Sequence, residues 1–337
     1  CDLGILPTPG IAEVARAAPE CCLAIVLSAS HNPAGDNGIK LLSSAGAKVS
    51  DALEAEVSRR FSEDVEPDPA GPGSLRDLSA EAFELYAARL VSSCEGGLEG
   101  KKVFLDAANG AASSLAFEVF QRIGAEVRLM GGQPDGRNIN DGCGALHPDV
   151  LAGAVSESGF DIGFCFDGDA DRMIPVSATG NVYDGDVVLA LAGRYYQSAG
   201  KLPAKAVVGT VMSNIGLARS LGEAGIELLR TPVGDRNVFR QMRDGHHPVG
   251  GEQSGHIIFM DYSSTGDGIL AAIRLMSFLR EHEMDLDRGA AIMTRYPQVL
   301  KNVKVREKIE LAEVAALSEV VASVEERLGD EGRVLLR

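Results

Sequence analysis

The segment Asp167-Gly168-Asp169-Ala170-Asp171-Arg172 alternates carboxylates with small residues directly after the apolar run Ile162 to Phe166. Three carboxylates gathered at a strand end repel one another unless a hard cation sits among them, and a set of oxygen ligands alone favours magnesium. The calcium-loop alternative needs the pattern D-x-[DN]-x-[DN]-G with Glu at its twelfth position. Here Arg172 stands where that Gly belongs, and the twelfth position is Ala178. A solvated acidic turn is the plain alternative.

Two further segments combine small residues with functional groups. Ser28-Ala29-Ser30-His31-Asn32-Pro33 follows the apolar run Leu23 to Leu27 and precedes Gly35, Asn37-Gly38 and Lys40. A serine held at the end of a buried strand can act as a nucleophile or carry a covalent phosphate, with His31 and Lys40 as donors to its oxygens. The same residue types also make an ordinary Ser/Asn/Pro turn. In Gly250-Gly251-Glu252-Gln253-Ser254-Gly255-His256, a carboxylate, an amide and a hydroxyl lie between glycines that let the backbone approach a ligand. Glu252 can accept from two neighbouring sugar hydroxyls while Ser254 donates or accepts. His256, beside Ile257-Ile258-Phe259, reads either as a ligand contact or as a hydrogen-bonded structural residue.

These loops need a scaffold, and the rest of the chain supplies an α/β pattern of short apolar runs, glycine-containing loops and amphipathic helices. The first unit has a strand Leu23 to Leu27 and a helix near Asp51 to Phe61. Glu63 to Ser74, rich in Pro, Gly and acidic residues, reads as a linker. A second unit has a helix Ser79 to Val91, a strand at Val103 to Leu105 and a strand Asp161 to Phe166. The third has a helix Asp184 to Ser198, a strand Ala206 to Gly209 and a long helix Gly266 to Arg280, with Val249 to His256 in its loops. In a smaller fourth unit, Val299 to Arg306 and Arg333 to Leu336 read as strands around a helix Leu311 to Leu328. The expected boundaries are 1–75, 76–180, 181–293 and 294–337.

With 337 residues, 45% of them hydrophobic and 24% charged, the chain can fill several cores. Its longest apolar runs, such as Cys22 to Leu27 and Val187 to Ala192, fall far short of the roughly 20 residues that span a bilayer, so no membrane segment is expected. A net charge of −16 disfavours nucleic acid as a partner. It leaves a small phosphorylated substrate compatible, because one metal ion or a donor cluster reverses the potential inside a cleft. Six Cys without a C-x-x-C pair suggest neither a zinc site nor a disulfide framework, and reduced thiols in a cytoplasmic protein are the plain reading.

Taken in order, the serine loop, the Asp167–Arg172 loop and Gly251 to His256 resemble the phosphohexomutase superfamily. The resemblance covers essentially the whole chain, including Leu6-Pro7-Thr8-Pro9 and Asn37-Gly38-Ile39-Lys40. Gln253 and Ala170 are more similar to the glucosamine branch than to the mannose/glucose branch, which usually has Met and Gly there. The resemblance implies similar α/β domains around a central cleft, the fourth α+β, each giving one loop. It implies an isomerase that acts as an intramolecular phosphotransferase, interconverting glucosamine 6-phosphate and glucosamine 1-phosphate through a phosphoserine at Ser30. Asp167, Asp169, Asp171 and an oxygen on Ser30 would hold one magnesium ion. His31, Lys40 and Arg172 would assist transfer, and Glu252, Gln253, Ser254 and His256 would hold the sugar. A bisphosphate such as glucosamine 1,6-bisphosphate would be the activator, and a homodimer is compatible with the pattern. Asp235-Arg236, in Val233-Gly234-Asp235-Arg236, match a recurrent element of the glucosamine branch without an assigned role. Family members carry a further N-terminal segment and end in an Arg-Pro-Ser-Gly-Thr-Glu-Pro phosphate loop, of which Arg337 would be the first residue. The expectation is thus a fragment, truncated at both ends and inactive by itself. A glucose or mannose phosphate mutase, an aspartate-nucleophile phosphatase and a non-catalytic sugar-phosphate binder are the alternatives.

Overall fold

Ile162 to Phe166 shows no polar/apolar alternation, the pattern of a strand covered on both faces. In the computed structural model, which describes residues 1–63, 73–304 and 314–336, all five of these residues are buried. The described elements form an α/β molecule in which one strand arrangement occurs twice.

The first unit contains α1 (Thr8–Ala17), β1 (Leu23–Leu27), β2 (Ile39–Ser43) and α2 (Asp51–Phe61). Strands β1 and β2 pair antiparallel, with Leu27 opposite Ile39. Pro9 sits in the first turn of α1, where its missing N–H costs no helical bond. Ser50 caps α2 by accepting from the Leu53 N–H at 3.3 Å.

The second unit comprises α3 (Ser79–Ser92), β3 (Lys102–Asp106), α4 (Ala112–Arg122), β4 (Glu126–Met130), α5 (Pro148–Ser158), β5 (Ile162–Phe166) and β6 (Met173–Ser177). Its sheet has the order β4-β3-β5-β6, parallel except for the antiparallel β5–β6 pair. The third unit comprises α6 (Gly185–Ser198), β7 (Ala206–Thr210), α7 (Ile215–Glu223), β8 (Glu227–Thr231), α8 (Asp235–Gly245), β9 (Val249–Gly251), β10 (Ile257–Phe259), α9 (Gly268–Glu281) and α10 (Leu286–Ala290). Its order, β8-β7-β9-β10, repeats that of the second unit strand for strand, down to the antiparallel final pair. Toward the C-terminus follow α11 (Ala315–Leu328) and a 3-10 turn, Gly329–Glu331.

Three expectations are corrected. Val249–Gly251, read as loop, is strand β9. Residues 299–304 and 333–336, read as strands, form none, because no described strand lies alongside to complete a ladder; Val299 is 90% exposed. Residues 305–306 of that first stretch lie outside the described residues. The helix expected from Leu311 is described from Ala315, and 311–313 are likewise outside.

Helix α9 is buried on every side from Gly268 to Leu279, as a helix apolar all round must be. Arg274 within it is only 1% exposed, donates to the Ser93 carbonyl at 2.9 Å and faces the Tyr262 and Phe278 rings. This ties α9 to the end of α3.

At the start of α9, Asp267 accepts from the Leu270 N–H and from the Tyr86 hydroxyl of α3, both at 2.9 Å. Burial pushes its carboxyl up to about 6. In the unfolded chain the group ionises near 4, so between about pH 4 and 6 the unfolded state sheds its proton while the folded state keeps it. Asp267 therefore withdraws stability as pH rises through that window, by about 2–3 kcal/mol. Asp267→Asn keeps an acceptor and loses the titration. Its thermal midpoint relative to wild type should climb from pH 4 to pH 6; a difference that is flat with pH would refute the raised value.

Candidate active site

Each of the three loops singled out in the sequence is the turn of an antiparallel strand pair. Ser30 lies between β1 and β2, Asp167–Arg172 between β5 and β6, and Glu252–His256 between β9 and β10. Strand pairing thus delivers the same kind of turn from three successive units to one place.

The aspartate loop is the hub. One carboxylate oxygen from each of Asp167, Asp169 and Asp171 lies within 4.8 Å of the others, and all three residues are buried. The Ser30 hydroxyl donates to Asp167 Oδ2 at 2.7 Å, and His31 Nδ1 lies 3.3 Å from the same hydroxyl. Lys40, reaching in from β2, sits 2.5 Å from Asp169 Oδ2 and 3.4 Å from Asp171 Oδ2. The Arg172 N–H donates to Asp167 Oδ1 at 3.1 Å, while its guanidinium Nε lies 3.8 Å from Asp171 Oδ1.

Backbone contacts clamp the loops together. Gly168 passes so close to the serine loop that a Cβ there would sit 2.5 Å from the Ser30 carbonyl oxygen. Met173 N–H donates to the Gly255 carbonyl at 3.0 Å, which stitches the third unit's loop to the second unit's. Ser30 itself holds a left-handed backbone, φ +55°, and Ala170 another, φ +54°. Such strain in non-glycine residues persists only where surrounding contacts enforce it.

Two contributors were not legible in the sequence as site residues. Thr8, at the start of α1, hydrogen-bonds the Asp169 carboxylate through its hydroxyl and the Asp169 carbonyl through its N–H, the latter at 3.1 Å. Asn140 donates to the carbonyls of Ser30 and Asn32, each at 2.9 Å. Thr8 had a sequence signal in Leu6-Pro7-Thr8-Pro9, without a role; Asn140 had none.

The electrostatics are those of a crowded anionic site. Burial, and next the charges of Asp171 and Asp169, push the Asp167 carboxyl well above the carboxylate range. Burial acts the same way on Asp171, but His256, Lys40 and Arg172 outweigh it and hold that carboxyl well below. Lys40 is the mirror case: burial opposes its charge, and Asp171 and Asp169 overcome it and raise its pKa. Burial, then the Arg172 charge, lower His31.

Two carboxylate oxygens, Asp169 Oδ1 and Asp171 Oδ1, are buried without a hydrogen-bond partner. An anionic oxygen buried without a hydrogen bond is costly, and two on residues of one converging carboxylate cluster fit a hard divalent cation. The residues present therefore suit the metal their pattern implied.

In the third loop, Glu252 Oε1 accepts from the Gly234 N–H at 3.0 Å, leaving the half-buried carboxylate a second oxygen for a ligand. The Gln253 amide is turned toward protein, donating to Asp184 Oδ2 at 3.2 Å and Gln298 Oε1 at 3.3 Å. Ser254 is exposed. His256 is 2% exposed; its Nε2 accepts from the Gly266 N–H at 3.0 Å and its Nδ1 lies 3.7 Å from Asp171 Oδ1. Burial opposes its protonation, and Asp171 outweighs burial to raise its pKa. Arg337 lies outside the described residues. No helix among the described residues is long and apolar enough to cross a membrane.

Family comparison agrees with this geometry. Residues 1–68, 84–180 and 184–296 match the phosphoglucomutase/phosphomannomutase α/β/α domains I, II and III. The chain is 44% identical to the phosphoglucosamine mutase of Saccharopolyspora erythraea over 336 residues, covering 99% of this chain and 75% of that protein. With the phosphoglucosamine mutase of Bacillus subtilis it shares 41% identity over 338 residues, with the same coverage. Among solved structures, a phosphoglucomutase/phosphomannomutase family protein from Burkholderia thailandensis superposes with a TM-score of 0.74 at 27% identity. That match covers 89% of this chain and 65% of the other. N-acetylphosphoglucosamine mutase from Aspergillus fumigatus, solved with GlcNAc-6P and magnesium, shares the fold with a TM-score of 0.70 at 18% identity, covering 95% and 85%. With its three loops brought together by three matching domains, the chain belongs to the phosphoglucomutase/phosphomannomutase family of the phosphohexomutase superfamily.

Proposed function

We propose that the protein is an intramolecular phosphotransferase that interconverts glucosamine 6-phosphate and glucosamine 1-phosphate by way of a phosphoserine at Ser30. The observation that carries the reading is the Ser30 hydroxyl held on Asp167, inside a cluster of three buried carboxylates, with Lys40 and His31 beside it. The amino sugar is favoured by the relatives of 41–44% identity, which are phosphoglucosamine mutases.

In the forward direction the bond between the Ser30 Oγ and its phosphorus breaks as O1 of the 6-phosphate forms its own bond to that phosphorus. O1 gives up its proton as it attacks and the departing Ser30 Oγ takes one up, for which His31 Nδ1, 3.3 Å from Oγ, is placed. The resulting 1,6-bisphosphate turns over, Ser30 Oγ gives that proton up as the 6-phosphoryl group returns to it, and O6 receives one. Glucosamine 1-phosphate is left, and the same bisphosphate would prime an unphosphorylated enzyme. Asp167, Asp169 and Asp171, with a phosphoserine oxygen, would hold magnesium, which supplies neutralising charge for phosphoryl transfer. Lys40 adds fixed positive charge against Asp169 and Asp171, and Arg172 lies at the same loop, able to reach phosphate oxygens. Glu252 and Ser254 would hold ring hydroxyls in both orientations, so that either phosphate can face Ser30. Gln253 and His256 act behind them: one braces the loop on Asp184, the other braces it on Asp171. We place the reaction in the cytoplasm, where six free thiols stay reduced.

The test is relative turnover of glucosamine 6-phosphate and glucose 6-phosphate by the purified full-length protein. Preference for the amino sugar is expected; preference for glucose would move the protein to the glucose/mannose branch. Gln253→Met removes the bonds to Asp184 and Gln298 while conserving length, and the loosened sugar loop should shift the ratio toward glucose by about 3- to 10-fold. An unchanged ratio would show that position 253 does not select the sugar.

A further inference from the structure

Val233-Gly234-Asp235-Arg236 leads into α8 in the third domain, and its charges are used on the first. Asp235 Oδ2 lies 2.5 Å from Lys48 Nζ. The Arg236 guanidinium pairs with two carboxylates of the first turn of α2, Asp51 and Glu54. Arg240, one helical turn on, lies 3.6 Å from Asp51. All of these partners follow the strand that carries Lys40, and Lys48 is bridged back onto Leu42 of that strand. A neutral contact runs parallel: the Ser264 hydroxyl donates to the Gly46 carbonyl at 3.1 Å.

The same turn also grips the sugar loop. Gly234, with φ +119°, aims its N–H at Glu252 Oε1 at 3.0 Å. Three consecutive residues therefore have three destinations: Gly234 holds the Glu252 carboxylate, Asp235 holds Lys48 and Arg236 holds α2. The orientation of Glu252 is mechanically joined to the position of the first domain, whose turn presents Ser30.

We infer that Asp235 and Arg236 form a charged latch between the first and third domains that sets Glu252 at its working distance from Ser30. They are positioning residues: their charges are spent on Lys48, Asp51 and Glu54, and their effect passes through Gly234 to Glu252. The inference rests on the reading of Glu252 as a sugar ligand. A latch of ion pairs also fits a cleft in which the bisphosphate must turn over, because charged pairs at a domain edge can part and re-form without exposing apolar surface.

Arg236→Glu places a third carboxylate against Asp51 and Glu54. It should raise the KM for the hexose phosphate about tenfold while kcat changes less than about threefold, since several partly exposed pairs are lost and the reacting groups are untouched. The reciprocal pair Asp51→Arg with Glu54→Arg should give the same split. Combining all three with Arg240→Glu, because Arg240 also faces position 51, restores opposite charges and should return KM to within about twofold of wild type. A merely structural lesion would not be rescued by charge exchange. An unchanged KM in either single-side variant, or failure of the combined variant to recover, overturns the latch. Should Arg236→Glu not fold, the α2-side pair and its rescue carry the test. The assay uses the full-length protein and whichever hexose phosphate its wild type turns over, so a wrong substrate assignment changes the sugar and not the ratio; a full-length wild type inactive on all of them would overturn the functional reading itself.

Discussion

Ser30→Ala should lower turnover by at least about 10³-fold and abolish the covalent phosphate. The whole transfer is routed through this one oxygen, and removal of a nucleophile is not offset by neighbouring groups. What remains would be the site around it: Lys40 and the three carboxylates have partners of their own, and the two contacts of the hydroxyl, to Asp167 at 2.7 Å and to His31 at 3.3 Å, are lost. The fold should survive, because the residue already tolerates a left-handed backbone at φ +55°. Ser30→Gly separates chemistry from folding further. Glycine relieves the strain of that conformation, so this variant should be as inactive as Ser30→Ala but more stable, by about 1 kcal/mol. Intact mass before and after phosphatase treatment reads the phosphate, and thermal melting reads the fold. Wild-type turnover in either variant, supplied with bisphosphate, would remove Ser30 from the reaction.

How the site was legible follows from the range of the interactions that build it. The Asp167–Arg172 loop could be recognised because five adjacent positions carry its whole chemistry and the buried strand before it is a continuous apolar run. Its mate β6 is equally buried, yet the equivalence of β5–β6 to β9–β10 stays hidden. Val249-Gly250-Gly251 is a three-residue strand that is two-thirds glycine, a composition that reads as loop and is held in the sheet only by its neighbours. Residues 299–304 show the converse: Val299 and Val303 suit a strand, but a ladder needs a partner and none of the described strands offers one. Thr8 and Asn140 reach the site across 161 and 110 residues of sequence, and nothing local to either records such a contact. For Gln253 the sequence pointed at the sugar, whereas its amide faces Asp184 and Gln298. Spacing between glycines can mark a residue as part of a loop without fixing which side of the loop it serves. Asp235 and Arg236 fall in the same class, visible as a motif but mute about Lys48 and α2.

The second large effect is expected at Asp167. This carboxyl is fully buried, and burial together with Asp171 and Asp169 favours its neutral form when no cation is bound. Asn at this position has nearly the same shape, can accept the Arg172 N–H and can donate to the Ser30 hydroxyl. In metal-free protein near neutral pH, Asp167→Asn should therefore change the thermal midpoint little. Magnesium reverses the comparison. In wild type the cation displaces the proton and gains a carboxylate ligand; in the variant it meets a neutral amide in a cluster that still has to desolvate it. Loss of groups one shell removed from a metal commonly weakens affinity 10- to 100-fold, so replacing a ligand should weaken it by more than about 100-fold. Calorimetry measures this directly. Because the proton must leave before the cation is bound, wild-type affinity should rise with pH and binding should release protons to buffer, and both effects should shrink in Asp167→Asn. A saturating cation should raise the wild-type midpoint, by about 2.7 kcal/mol of stabilisation at a hundred times its Kd, and leave the variant almost unmoved at the same concentration. Magnesium bound by Asp167→Asn with wild-type affinity would exclude this carboxylate from the metal site and leave its burial, beside two like charges, without a function.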